Sequence, residues 1–102
     1  MTTTPIDLGS GYSLTFTSWK PDRHLNPQYD GIPDVERYGA IIRCPHGDGA
    51  ITFAGEVQAK IEPTRQNVWT VVSFEPLTLS PSIHRTECGC HGFVRDGKWV
   101  RA

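Results

Sequence analysis

Along the first third of the chain one run keeps strict alternation: Tyr12, Leu14 and Phe16 are separated by Ser13, Thr15 and Thr17, the period of two of a half-buried strand. The eleven residues before it are rich in small and polar types and read as a flexible tail, residues 1–11, ahead of one domain, 12–102. Strand-like runs return at Tyr38 to Arg43, Ala50 to Ala54, Val68 to Phe74 and Leu77 to Leu79. Turn chemistry separates them at Pro45 to Gly49, Glu62 to Gln66 and Glu75-Pro76. Asp96-Gly97, set between Phe93-Val94-Arg95 and Lys98-Trp99-Val100, predicts a terminal hairpin on a type I′ turn.

Between Lys20 and Arg37 the periodicity stops, and Pro21, Pro27, Gly31 and Pro33 remove helix and ladder options. Trp19, Tyr29, Ile32 and Val35 are apolar enough to hold this long loop on the core, with a turn of helix expected at Pro33 to Arg37. Glu56 to Ile61 fits a helix, but six residues between Gly55 and Pro63 are marginal alone. The pattern as a whole predicts a mainly β fold: a small antiparallel β domain with one long irregular loop and a C-terminal hairpin.

A chain of 102 residues has a thin core, and small domains often add a metal or disulfides. Three cysteines cannot complete a disulfide framework, which directs attention to metal. Cys44-Pro45-His46-Gly47 and Cys88-Gly89-Cys90-His91-Gly92 gather the soft donors at two turns. Zinc takes four such donors in a tetrahedron. Five are on offer: Cys44, His46, Cys88, Cys90 and His91. His84 is a further candidate, as a replacement ligand or as an orienting partner.

The closing block Thr78-Leu79-Ser80-Pro81-Ser82-Ile83, then Cys88-x-x-His91 and Arg95-Asp96-Gly97-Lys98, resembles an uncharacterised zinc-binding family of bacteria and phages, a domain of unknown function. In that family a Cys-Pro-Cys-Gly knuckle stands where this chain has Cys44-Pro45-His46-Gly47. The resemblance implies one structural zinc held by Cys44, His46, Cys88 and His91, with Cys90 as the surplus thiol. It covers about residues 40 to 102 and implies a setting near ubiquitin-like conjugation genes. Residues Trp19 to Gly39 resemble small proteins encoded by viruses of actinobacteria instead, which implies a viral accessory protein acting on a host factor.

The formal charge is −1, and residues 81 to 102 carry four Lys/Arg against two Asp/Glu, well short of the basic stripe that nucleic-acid binding needs. No apolar run is long enough to span a bilayer, and no leader pattern opens the sequence, so a cytoplasmic protein is expected. Three functions follow from these residues. The first is a noncatalytic zinc-stabilised module that binds a protein partner through the loop from Trp19 to Arg37. The second is a small zinc-dependent hydrolase with Asp48 or Glu87 as general base. The third is a nucleic-acid-binding zinc module, with Arg85, Arg95, Lys98 and Arg101 on one face of the hairpin. For each charged or polar cluster the plain alternative is a solvated face, or side chains that satisfy turns.

Overall fold

The computed structural model describes residues 4–85 and 89–102. Among the described residues nine strands form three antiparallel sheets, so the mainly β expectation holds. The first sheet joins β1 (Ile6–Gly9), β2 (Tyr12–Trp19), β3 (Val35–Cys44) and β4 (Gly47–Thr52) in sequence order. A helix, α1 (Glu56–Ile61), leads to a hairpin of β5 (Thr70–Phe74) and β6 (Leu77–Ser80). The third sheet is β7 (Ile83–Arg85), β8 (Cys90–Arg95) and β9 (Lys98–Arg101).

Alternation explains the core. Leu14, Ala40, Ile42 and Ile51 share the inner face of the first sheet, through the pairs Leu14↔Ile42 and Ala40↔Ile51. Ile83, Val94 and Trp99 face them from the third sheet, with Leu77 and Leu79 from the hairpin. β1 lies against β9 and β6 against β8, which joins the sheets around one core. Tyr12 stacks on Trp99 at 4.2 Å between ring centroids and 6° between planes, a contact between the first and third sheets.

Where a flexible tail is expected, Ile6 to Gly9 pairs with β2, because Leu8 is an apolar residue with somewhere to go: it is 1% exposed. The long loop holds a 3-10 turn at Pro27–Tyr29, earlier than the expected turn at Pro33 to Arg37, and Val35 onward already belongs to β3. Arg23 ties the loop together, donating to the carbonyls of Tyr29 and Ile32 and pairing with Asp34 at 2.8 Å. Asp22 accepts from the N–H groups of His24 and Leu25. Asp22, Arg23 and Asn26 therefore serve the loop's own backbone. Asp96 and Gly97 have φ of 52° and 76°, the positive pair of the expected type I′ turn.

Candidate active site and metal cluster

β8 separates two kinds of chemistry, because neighbouring residues on a strand point to opposite faces. Cys90, Gly92 and Val94 are buried and face inward, whereas His91 and Arg95 are exposed on the outer face with half-buried Phe93 between them. Each face meets a different partner.

Inward, Cys90 meets the turn that joins β3 to β4. The donor atoms of Cys44, His46 and Cys90 all lie within 4.8 Å of one another. The Cys90 Sγ is 3.6 Å from His46 Nδ1. Two donors of a tetrahedral zinc, one sulfur at about 2.3 Å and one nitrogen at about 2.0–2.1 Å, stand about 3.6 Å apart, so this pair fits an edge of such a site. The three residues are therefore close enough to hold a metal ion. Arg85 braces the turn from β7, donating through Nη1 to the Gly47 carbonyl at 3.1 Å and through Nη2 to the Asp48 carbonyl. The same Nη1 lies 3.8 Å from Cys44 Sγ.

Outward, His91 stands diagonally across from the residue that precedes β7. Its Nε2 lies 3.1 Å from Ser82 Oγ. His84, directly opposite His91 in the ladder, stacks against it at 4.9 Å between ring centroids and 31° between planes. The carbonyl of Ser82 accepts from the Trp69 indole N–H at 3.3 Å, which fixes the backbone that carries the hydroxyl. Phe93 and Val100 pair on the same outer face, with Arg95 over the Phe93 ring at 4.6 Å. Among the described residues no carboxylate is hydrogen-bonded to His91. A serine hydroxyl within hydrogen-bond reach of an imidazole is the arrangement that activates a nucleophile.

Of the residues expected to bind zinc, Cys44 and His46 come together, and Cys90 joins them in place of a surplus role. Cys88 and Glu87 lie outside the described residues. His91 is turned to the far face of β8, with Ser82 and not with the cluster. Asp48 is exposed and paired with Arg43 at 3.0 Å. That hydrogen bond and charge hold its carboxyl below the ordinary value, which suits a salt bridge and not a general base.

Residues 18–102 match the family described as "Bacterial ubiquitination-like system serine protease (BubE)". The chain belongs to this family. The BubE match reaches through Trp19 to Gly39, the stretch whose resemblance implied a virus, and the description names neither a virus nor a metal. Nothing matches among curated proteins or among solved structures.

The BubE description overturns the expectation of a noncatalytic interaction module, with the loop from Trp19 to Arg37 as its recognition surface and a host factor as its target. An enzyme is indicated, nearer to the hydrolase alternative. The physical origin of the error is plain. Cysteine and histidine announce themselves by softness and spacing, so His91 is counted as a ligand. A serine nucleophile has no mark of its own until a base lies beside it in space. Ser82 stands inside the Thr78-to-Ile83 block, nine residues before His91, with nothing in the sequence to single it out.

Proposed function

We propose that this chain is a serine hydrolase that cleaves peptide-type acyl bonds, with Ser82 as nucleophile and His91 as general base. The observation that carries this is the 3.1 Å approach of His91 Nε2 to Ser82 Oγ in a member of a family described as serine proteases. In the first step the Ser82 hydroxyl passes its proton to Nε2 while Oγ bonds to the substrate carbonyl carbon. Collapse of the tetrahedral adduct breaks the bond to the leaving group, which takes the proton from His91. Water then attacks the acyl-serine, giving a proton to Nε2; the bond between Oγ and the acyl carbon breaks, Oγ takes that proton back from His91, and the acid product leaves. Trp69 and the β7–β8 pairing hold the two side chains on their common face. Because the BubE description names a bacterial ubiquitination-like system, the substrate is read as a protein of such a system.

The metal is read as zinc. Two thiolates and an imidazole favour it over harder cations, and Cys88, two residues from Cys90 in sequence, would complete a closed four-ligand set. Such an ion would bind the β3–β4 turn to β8 and supply folding energy. It would stand on the inner face, away from the Ser82 hydroxyl.

A fluorophosphonate probe tests the reading, since it forms an adduct only with an activated serine. Mass spectrometry should place one adduct on Ser82, and Ser82→Ala and His91→Ala should abolish it in folded protein. Labelling that persists undiminished in Ser82→Ala would sink the assignment.

A further inference from the structure

The strand that begins beside Ser82 has a free edge, and so has β4 across from it. β7 pairs only with β8, and β4 only with β3 among the named strands. Between them runs a slot of about 210 Å³, lined by Ile42, Ala50, Ile51, Trp69, Ile83 and His84 among others. Its backbone polarity can be worked out. The His91 carbonyl accepts from Ala102 N–H, so the His91 peptide groups turn away from β7. In an antiparallel ladder the residue opposite then turns its own groups to the outer edge, and that residue is His84. The Ser82 carbonyl, two residues earlier, does point outward, to Trp69. On the other wall the Thr52 carbonyl accepts from Trp69 N–H, and the Asp48 carbonyl accepts from Arg85. Ala50, midway between them, therefore also turns its N–H and C=O into the slot. Among the described residues neither His84 nor Ala50 has a backbone partner on that side.

The ends of the slot set its width and length. At one end the Trp69 backbone occupies the place of an intervening strand: it pairs with Thr52 and with Ala54 just beyond β4, and its indole reaches Ser82 just before β7. At the other end the Arg85 side chain spans the gap to Gly47 and Asp48. The slot is thus the unfilled continuation of a strand position. Between these ends β4 offers the outward groups of Ala50 alone, since Arg85 and Trp69 take the Asp48 and Thr52 carbonyls, so the open stretch spans about three extended residues.

We propose that this slot takes the substrate as an extended, unfolded peptide, which adds itself as a strand between β7 and β4. The proposal rests on the assignment of Ser82 and His91 as the reacting pair. The bound segment exchanges backbone hydrogen bonds with His84 and Ala50, so recognition is by main chain. Inward-pointing positions meet Ile42, Ile51 and Ile83, which leaves room there for small side chains only. Trp69 closes the end at Ser82, so the chain turns out of the slot there, toward the outer face that carries the hydroxyl, and the bond that reaches Ser82 lies at that turn.

The experiment uses the full chain and a pool of short unstructured peptides of random sequence. Ala50→Pro deletes the outward N–H without touching the bonds to β3, since proline is tolerated where a strand's N–H faces away from its neighbour. Cleavage should fall about tenfold, the loss of one desolvated hydrogen bond, while fluorophosphonate labelling of Ser82 stays unchanged. Independently of how that variant folds, N-methylation of the amide that pairs with His84 in a cleaved peptide should reduce turnover by a similar factor. Peptide binding to Ser82→Ala should change the Trp69 fluorescence, read as the difference from Ser82→Ala/Trp69→Phe. Normal labelling with no peptide cleaved, or with cleavage indifferent to both Ala50→Pro and N-methylation, overturns the slot and leaves the nucleophile standing. Absent labelling with Trp69 still responding to peptide removes the nucleophile and keeps the slot.

Discussion

Cys90→Ser and His91→Ala are adjacent substitutions with opposite expected outcomes. The buried Cys90 thiol lies within 4.8 Å of the Cys44 and His46 donors, so its loss takes a donor from the candidate metal cluster between the β3–β4 turn and β8. Structural zinc binds small domains with about 10–16 kcal/mol of apparent free energy, against a net stability of about 5–15 kcal/mol for a typical domain. Weakening that site should therefore cost about 3 kcal/mol or more, a fall in Tm of ~12 °C at about 4 °C per kcal/mol for a domain near 100 residues. The His91 imidazole is exposed and touches Ser82 and His84, so truncating it should shift stability by only about 0.5 kcal/mol. On the proposed role as general base, its loss should instead reduce hydrolysis by about 10²–10⁴. Metal content by plasma mass spectrometry, melting curves and fluorophosphonate labelling, run on both variants and the parent, separate the two roles. A His91→Ala protein that loses its metal and melts like Cys90→Ser would refute the division of labour across β8.

Three further outcomes follow from single contacts. Trp69→Phe keeps the ring in the slot but leaves the Ser82 carbonyl without its indole donor, so Tm should fall by the equivalent of about 1 kcal/mol and the labelling rate of Ser82 should drop. An unchanged rate would show that the indole does not position the nucleophile. Gly92→Ala places a methyl 2.6 Å from both the Val100 carbonyl and the Trp99 ring, a clash with backbone and with a buried side chain; calorimetry should show a loss of about 1–3 kcal/mol. The Tyr38 hydroxyl is raised well above its ordinary value, first by burial and then by its 2.6 Å hydrogen bond to Glu62. Its contribution is complete below the unfolded value, about 10, and is lost as pH rises through the higher folded value. Urea midpoints should thus fall on the alkaline side in the parent, and less steeply in Tyr38→Phe.

Alternation located β2, strand-like apolar runs located β3 to β6, and the Asp96-Gly97 turn located the last hairpin. β7 was invisible for a physical reason: three residues are too few for alternation to register, and its Ile83 alone is buried. Ile6–Gly9 was lost behind Gly9, Ser10 and Gly11, which look like tail chemistry but supply the positive φ angles of a tight turn. The candidate site was legible by halves. Donor chemistry marked Cys44, His46 and the second cluster correctly as the place to look, yet Cys90 and His91 are neighbours of similar chemical appeal. Only the pleat decides which of them faces the turn, and the pleat depends on which residues pair with β7 and β9.

That pleat also explains how the candidate metal cluster and the proposed Ser82–His91 pair can use two consecutive residues, Cys90 and His91, without interfering. Gly89 has φ of 73° and donates its N–H to the Arg85 carbonyl at 2.8 Å, which brings the chain back into register with β7. From there Cys90 must point inward opposite Arg85, and His91 outward opposite His84. Arg85 and Cys90 then grip the β3–β4 turn from one side, through its carbonyls and its thiol and imidazole. These bonds from Arg85 to Gly47 and Asp48 span from β7 to β4 at one end of the slot. A metal on the inner face would thus act on catalysis mechanically, by maintaining the gap into which substrate is drawn. Stripping it with a chelator should impair turnover of peptides more than labelling of Ser82 by a small probe, and equal loss of both would mean that the cluster supports the whole domain and not the gap in particular.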